Sequence, residues 1–352
     1  MKRVLVGMSG GIDSTATVRL LSEQGYAPIG VTLVLQDELD GSPYAAAESA
    51  AAVARELGIP HETVDARREF TRSVLEPCWR ELESGGTPNP CVFCNARVRF
   101  GMLARLAAGH GAEFVATGHY ARIGRNAAGE WRIWRGADPA KDQSYFLHGL
   151  PLELLPRILF PLGAMRKTEI RELAKGWGLS NAGKSDSQDV CFADADGQYA
   201  EKLRLRFQGG CRPGVFVDES GRVLARHGGI HRYTIGQRRG LGFAAGERVK
   251  ICAIDPVSGT ITVSPRPEAV NARSVRSEDF RWHGTPPPLG AEVSAQVRYR
   301  QRPARATVAE FRGGFLALEF SEPVFGVTRG QSLVVYRDDE LLGGGTIAGQ
   351  FR

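Results

Sequence analysis

Val4-Leu5-Val6-Gly7-Met8-Ser9-Gly10-Gly11-Ile12-Asp13-Ser14 is the stretch from which the rest of the chain can be read. Its first three residues form a short apolar run of the kind found in buried parallel strands. Beyond Ser14, Ala16, Val18, Leu20 and Leu21 recur with helical spacing, so Gly7–Ser14 falls in a strand-to-helix turn. Gly10 and Gly11 are expected to take backbone conformations closed to other residues and to let a ligand approach the main chain. Ser9 and Ser14 add hydroxyl donors, and the free N–H groups of the helix start add partial positive charge. Together these make an anion cradle, most naturally for phosphate. An ordinary glycine-rich turn is the plainer reading.

The loop lacks the Gly-Lys-Ser/Thr ending of a Walker A motif and the G-x-G-x-x-G spacing of a dinucleotide site. Ser9-Gly10-Gly11-Ile12-Asp13-Ser14 instead resembles the pyrophosphate loop of the ATP-pyrophosphatases, which split ATP between its α and β phosphates and adenylate a carbonyl oxygen. Asp13 is expected to orient Mg²⁺, to act as a first-turn helix acid, or both. A loop on the surface also leads to the expectation that Asp13 can be replaced without loss of the fold.

Strands at 4–6, 29–35 and 61–64 alternate with helical stretches, among them the Ala-rich 45–57, which Gly58 and Pro60 end. This predicts a doubly wound parallel sheet with helices on both faces and its ligand beyond the strands' carboxyl ends. Further on, a helix is expected over 67–83, a loop over 84–90, a helix over 95–108, strands over 114–117 and 130–136, and a helix over 166–177. After about residue 210 Gly, Pro and short alternating runs prevail, as in Val215-Phe216-Val217 and Val249–Ile254. That is the texture of small β domains. The expected division is 1–205 for the α/β catalytic domain, 206–270 for a central β-rich domain and 271–352 for a C-terminal β-barrel.

The charge is uneven. Residues 1–200 hold 22 Lys and Arg against 24 Asp and Glu, whereas residues 201–352 hold 23 against 15. A basic rear half suits a polyanion, although an Arg-rich solvated surface would look the same. No run of 18 apolar residues occurs, so no span of a membrane is expected. Met1-Lys2-Arg3 enters a strand within three residues and leaves no room for a signal peptide, which leads to the expectation of a cytoplasmic protein. Six cysteines occur, Cys78, Cys91, Cys94, Cys191, Cys211 and Cys252. In that compartment they favour metal or redox chemistry over structural disulfides. Cys78, Cys211 and Cys252 read as packing residues.

Seven motifs in one order carry a closer resemblance. They are Gly7–Ser14; Thr87-Pro88-Asn89-Pro90 leading to Cys94-Asn95; Thr117-Gly118-His119-Tyr120; Lys141-Asp142-Gln143-Ser144; Ser187-Gln188-Asp189-Val190-Cys191-Phe192; Tyr233–Arg238; and Arg298-Tyr299-Arg300-Gln301. Over essentially its whole length the chain resembles the bacterial tRNA-specific 2-thiouridylases, the MnmA type. The resemblance implies ATP-dependent adenylation of the C2 oxygen of wobble uridine 34, followed by sulfur transfer. The chemistry is reasonable on its own terms. A uracil C2 carbonyl is a poor electrophile with a poor leaving group, adenylation makes AMP the leaving group, and a cysteine can carry the sulfur. The base must leave the anticodon stack to be reached.

The resemblance also implies roles. Gly7, Met8, Ser9, Gly10, Gly11, Ile12, Asp13 and Ser14 would bind ATP phosphates with Mg²⁺. Leu33 would touch the adenine, or be plain core, and Gly118 would allow close approach of the backbone to the nucleotide. Asn89, Pro90 and Cys91 would line the target-base pocket. Cys94 would be the nucleophile, and Cys191 would carry a persulfide. His119, Lys141, Asp142, Gln143, Arg298, Tyr299 and Gln331 would meet tRNA, with an Arg/Tyr pair suited to phosphate contact and base stacking. For His119 a structural role is the alternative, and for Arg298 and Tyr299 a solvated barrel face. The partners implied are tRNAs of the Lys, Glu and Gln type and a sulfur donor such as a cysteine desulfurase or relay protein, with a monomeric enzyme.

One departure stands out. The family's common form has Asp after Asn-Pro, where this chain has Cys91, so that Cys91-Val92-Phe93-Cys94 is a C-x-x-C. Related thiolases hold a [4Fe–4S] cluster with three cysteines. Cys91, Cys94 and Cys191 could do the same, with a persulfide route and a zinc site as the other readings. Two different classes of function stand beside the thiouridylase. A small-molecule synthetase of the amidotransferase type explains the loop but not the cysteines, and a non-catalytic tRNA-binding protein explains the charge but leaves the loop idle.

Overall fold

The computed structural model describes residues 1–36, 44–183 and 199–351. By its contacts the chain divides into two compact units, one made of residues 1–74, 91–191 and 339–341, the other of 75–90, 192–338 and 342–352.

The first unit is built on a five-stranded parallel sheet. Its strands are β1 (Arg3–Gly7), β2 (Ala27–Val34), β3 (His61–Asp65), β4 (Phe114–Ala116) and, after a hairpin of β5 (Ala121–Arg125) and β6 (Trp131–Arg135), β7 (Ile158–Leu159). The order across the sheet is β3-β2-β1-β4-β7, all parallel. Val4, Leu5 and Val6 are completely buried in the middle of it, as their unbroken apolar run requires. Helices α1 (Ile12–Glu23) and α2 (Ala45–Glu56) connect the first three strands, and Val18, Leu21, Ala50, Val53 and Ala54 pack with Val4 and Val6. The chain moves outward from β1 to β3 and then returns to the other side of β1 at β4. That reversal opens a crevice beyond the carboxyl ends of β1 and β4, where open α/β sheets take their ligands. Gly7 and Thr117 are the residues that enter it.

The expected strands are all present. The helix expected over 95–108 starts earlier. It runs through Pro90–Phe93, a π-helical segment Cys94–Arg99 and Phe100–Gly109, so Cys91 and Cys94 lie in the helix and not ahead of it. Proline suits the first helical position, where its missing N–H would have had no partner. The helix expected over 67–83 likewise contains a π-helical stretch, Thr71–Leu75, between Arg67–Phe70 and Glu76–Glu83. Single π turns of this kind do not alter the apolar spacing enough to be read in advance.

In the second unit β8 (Gly214–Val217), β9 (Val223–His227), β10 (Lys250–Ile254) and β11 (Ile261–Ser264) form a four-stranded sheet ordered β10-β11-β8-β9. Phe216, Ile230, Ile251, Ile261 and Val263 fill its core. The six strands β12 (Asn271–Trp282), β13 (Glu292–Gln296), β14 (Ala304–Arg312), β15 (Phe315–Phe325), β16 (Ser332–Arg337) and β17 (Glu340–Phe351) follow in the order β12-β15-β14-β13-β16-β17. The antiparallel pairing of β12 with β17 closes them into a barrel, which leaves no free edge. Alternate residues of these strands, among them Val275, Val293, Val308, Leu316, Leu318 and Val335, point inward and fill it.

Candidate active site

Gly7–Ser14 turns from β1 into α1 at the switch point of the sheet. Gly10 sits at φ +69°, and a Cβ there would lie 2.8 Å from Ser49 Oγ and 3.1 Å from the Ala50 nitrogen, so this position needs glycine twice over. Gly11 differs from expectation. As the residue before α1 it has φ −90°, open to any residue. What it offers is small size and a carbonyl, which accepts the hydroxyls of Ser14 (3.1 Å) and Thr15 (3.0 Å). The Ser14 Oγ also accepts the Ser9 N–H at 3.2 Å. Met8 and Ile12 are buried side chains, so any contact they make with a phosphate comes from their backbone. The loop is braced from below, where the Met8 carbonyl accepts the buried Thr32 hydroxyl at 3.0 Å and that hydroxyl meets His61 Nε2 at 2.9 Å. Leu33, beside Thr32 on β2, is half-buried.

Three residues complete the loop from far along the chain; Tyr120 ends one of the seven motifs, whereas Lys167 and Asn181 lie in none of them. Asp13 Oδ1 accepts the Tyr120 hydroxyl at 2.7 Å and Lys167 Nζ at 2.6 Å. Lys167 is the first residue of the helix Lys167–Gly176 and is buried. Asn181 donates from Nδ2 to the Gly10 carbonyl (3.2 Å) and to Thr15 Oγ1 (2.8 Å). Gly118 also makes a close approach within the protein. A Cβ there would come within 2.9 Å of the Asp13 carbonyl carbon and 3.0 Å of its Cβ, so the close approach is to the loop itself. One carboxylate beside the loop fits Mg²⁺, an ion that keeps waters and is held by one or two carboxylates together with substrate phosphates.

The helix that carries the thiols belongs to this first unit. Cys94 is buried and Cys91 half-buried, three residues apart on the helix. Burial pushes the Cys91 thiol up to about 11, the neighbouring Cys94 adds to this, and the Arg99 guanidinium opposes it. Burial raises Cys94 too, again against Arg99. His119 lies in the same surroundings. Burial first and Arg99 second lower it to about 3, so it is a neutral ring at physiological pH, bonded through Nδ1 to Thr117 Oγ1 at 2.7 Å and packed near Phe100 and Phe160. Arg99, which sequence reading passed over, is thus the charge that acts on all three groups. With both thiols protonated at rest, iodoacetamide at pH 7.5 is expected to label exposed Cys211 in the metal-free chain ~10–100-fold faster than Cys91 or Cys94. Because the thiolate reacts and both values are raised, labelling of the pair should climb with pH through 9. Peptide mass spectrometry over time reads this, and equal rates at the three cysteines would refute it.

Cys191 lies outside the described residues. Among the described residues no group of three His, Cys, Asp or Glu side chains could hold a metal ion, so the structure provides two of the three thiolates a cluster would need.

The residues expected to meet tRNA are placed as follows. In the first unit Asp142 is buried. Its carboxylate accepts Arg135 Nε (2.9 Å) and the backbone N–H groups of Gly136 (2.9 Å) and Ser144 (3.1 Å). Gln143 accepts the Tyr120 N–H at 3.0 Å through Oε1, and Lys141 is half-buried. In the second unit Asn89 is buried and donates to Ser332 Oγ at 3.1 Å, and Pro90 is buried. Gln331 Nε2 donates to the carbonyls of Thr87 (3.0 Å) and Pro88 (3.1 Å), so Gln331 holds the Thr87–Pro90 segment in place. Arg298 donates to the carbonyls of Gly326 and Ile235, both at 2.7 Å, and to Thr328 Oγ1 at 2.6 Å. It therefore ties the Tyr233–Arg238 motif to the barrel. Tyr299 is half-buried, with the Arg300 guanidinium 5.7 Å from its ring centre.

A parallel α/β unit with a non-Walker phosphate loop at its switch point, a carboxylate beside the loop and a thiol pair in the same unit defines the class, an adenine-nucleotide α/β enzyme of the pyrophosphate-loop type. Residues 2–195 match the family model of the tRNA methyl transferase HUP domain, 205–265 that of the tRNA methyl transferase PRC-barrel domain and 272–347 that of the aminomethyltransferase beta-barrel domain. The tRNA-specific 2-thiouridylase MnmA of Pelobacter propionicus is 41% identical over 98% of this chain and 97% of its own length. That of Syntrophomonas wolfei is 42% identical over 98% and 99%. A solved 4-thiouridine synthetase–RNA complex with bound ATP is similar over 59% of this chain and 50% of its own, at 20% identity and a TM-score of 0.35. The chain belongs to the tRNA-specific 2-thiouridylase family.

Proposed function

We propose that this chain is a tRNA-uridine 2-sulfurtransferase. It adenylates the C2 oxygen of wobble uridine 34 with ATP and Mg²⁺, releases pyrophosphate, and then replaces AMP by sulfur to give 2-thiouridine. The observation that carries the reading is the presence, in one compact unit, of a phosphate loop at the switch point and of the Cys91–Cys94 pair. The first supplies activation and the second sulfur chemistry, and neither of the competing functions needs both.

In this reading the backbone of Gly7–Ser14 takes the phosphates, and Asp13 orients the metal. Attack of the C2 oxygen on the α-phosphorus forms a C2–O–P bond and expels pyrophosphate. A sulfur nucleophile then bonds to C2, and the oxygen leaves with AMP. Cys191 bears the persulfide, whose outer sulfur bonds to C2; Cys94 is the nucleophile that then attacks the inner sulfur, the S–S bond breaks to release 2-thiouridine, and a thiol reductant returns the resulting Cys94–Cys191 disulfide to two thiols. Asn89, Pro90 and Cys91 line the base pocket, while His119, Lys141, Asp142, Gln143, Arg298, Tyr299 and Gln331 either meet tRNA or hold the groups that do. The bonds already made by Asp142, Arg298 and Gln331 favour the second role for those three. Residues 1–205, 206–270 and 271–352 act as catalytic, central and tRNA-binding domains of a monomeric cytoplasmic enzyme. Its substrates are tRNAs of the Lys, Glu and Gln type, and a cysteine desulfurase or relay protein supplies the sulfur.

A second route for the sulfur is favoured by one observation, the i, i+3 placement of Cys91 and Cys94 on a helix. With Cys191 they would form three thiolates on a [4Fe–4S] cluster. The third ligand, Cys191, lies outside the described residues.

The test combines purified chain, unmodified tRNA and Mg-ATP with either a persulfide donor and a dithiol reductant or, in a separate arm, sulfide alone. Nucleoside chromatography should find 2-thiouridine at position 34, matched mole for mole by AMP and pyrophosphate. ADP and phosphate as products, or sulfur at another base, would refute the assignment.

A further inference from the structure

The phosphate loop has no cation of its own. Between residues 4 and 18 the sequence contains neither Lys nor Arg. Backbone N–H groups and a helix start offer about half an elementary charge, whereas departing pyrophosphate carries several. Phosphoryl-handling sites meet such charge with a full cation, as the lysine of a Walker A loop does.

The fold brings one to the loop from 154 positions away. Lys167 is only 7% exposed, and its Nζ stands 2.6 Å from Asp13 Oδ1, in the first turn of α1. Its origin is well fixed. The Lys167 backbone N–H is bonded to Asp138 Oδ2 at 3.0 Å, and the preceding Arg166 N–H to Glu169 Oε2 at 2.6 Å, which caps the helix. Tyr120 holds the other side, with its hydroxyl on the same Asp13 oxygen and its ring centre 5.9 Å from Nζ. Removing an ammonium from water is costly, and an ion pair that only joined two helices could give way to apolar side chains of similar volume at little loss. Placed beside a phosphate loop, the charge has a task that apolar groups cannot perform.

We propose that Lys167 is the cation of this loop. With nucleotide bound, its ammonium contacts the phosphate chain next to Asp13 and offsets the negative charge that grows on pyrophosphate as the α–β bond breaks. No proton is transferred, and the lysine stays an ammonium throughout. Lys167 thus acts on the adenylation half of the reaction and leaves the sulfur half alone. This rests on the reading that ATP occupies the loop.

The test compares full-length wild type, Lys167→Met and Lys167→Arg by calorimetry with Mg-ATP and with adenosine, and by single-turnover release of pyrophosphate. Lys167→Met is expected to weaken ATP ~10–100-fold and slow pyrophosphate release at least ~100-fold, with adenosine binding unchanged, and Lys167→Arg to recover part of both. A purely structural lysine would instead weaken ATP and adenosine by the same factor, and that result overturns the proposal. If Lys167→Met folds poorly, the double variant Asp13→Asn/Lys167→Met, compared with Asp13→Asn alone, removes the uncompensated carboxylate. An ATP-to-adenosine ratio equal in the two then overturns the proposal, and a further loss in the double variant supports it. Wild-type protein that does not bind ATP would overturn the underlying reading, whereas wild-type binding with an unchanged ratio in Lys167→Met sinks this inference alone.

Discussion

Cys94→Ser is expected to abolish 2-thiouridine formation, by ~10⁴-fold or more, and to leave tRNA-dependent pyrophosphate release largely intact. Serine keeps the size of the side chain in its buried helical site, so the fold should survive. Its hydroxyl is far less ionised than a thiol, and the Arg99 charge that draws down a thiol has little to act on. Adenylation takes place at the loop and does not require the sulfur. The two halves of the reaction are therefore separable, with pyrophosphate release and nucleoside chromatography reading one half each. Thiolation that persists in Cys94→Ser would remove Cys94 from the mechanism. The same assay distinguishes the routes for sulfur when Cys91→Ala is added and the chain is purified anaerobically with iron and sulfide counted. An iron-free protein that thiolates tRNA in air with Cys91→Ala active leaves the persulfide route. About four irons per chain, lost together with activity in Cys91→Ala, establishes the cluster.

The second large effect lies at the loop. Asp13→Asn should lower adenylation by ~10³-fold, since an amide is a poor ligand for Mg²⁺ and the ion that pairs with the phosphates is then held less well. The structure changes one expectation here. Read as a surface feature, the loop would tolerate Asp13→Ala with no effect on folding. Asp13 is instead the acceptor for Tyr120 and for the buried Lys167, so the alanine variant takes away the carboxylate that stands 2.6 Å from that ammonium. A loss of about 1–3 kcal/mol is expected, below the cost of breaking a fully buried pair because the Asp13 side chain is about a third exposed. Denaturant unfolding of the Asn and Ala variants next to wild type measures this. A midpoint equal to wild type in Asp13→Ala would show that Lys167 does not depend on it.

What could be read without a structure is local. An apolar run, two glycines and a return to helical spacing place the loop between β1 and α1 because strand, turn and helix are each set by neighbours a few residues apart. The alternation over 1–65 gives the parallel sheet for the same reason, and the alternating runs after residue 210 give the β texture. The spacing of Cys91 and Cys94 is visible as well, and so is the sequence bias toward a basic rear half.

Only the tertiary structure decided which side chains complete these features. Lys167 and Tyr120 meet Asp13 across 154 and 107 positions, Asn181 reaches Gly10 across 171, and Gln331 holds Thr87 across 244. No periodicity records such pairings, because they depend on how whole elements pack and not on the spacing within any one of them. The same holds for Gly118, whose missing side chain makes room for Asp13, and for Arg298, whose guanidinium is taken up by carbonyls of its own fold. The thiols show the division most plainly. Their spacing is a property of the chain, but their raised pKa values come from burial and their restraint from Arg99, and both exist only once the first unit has folded around them.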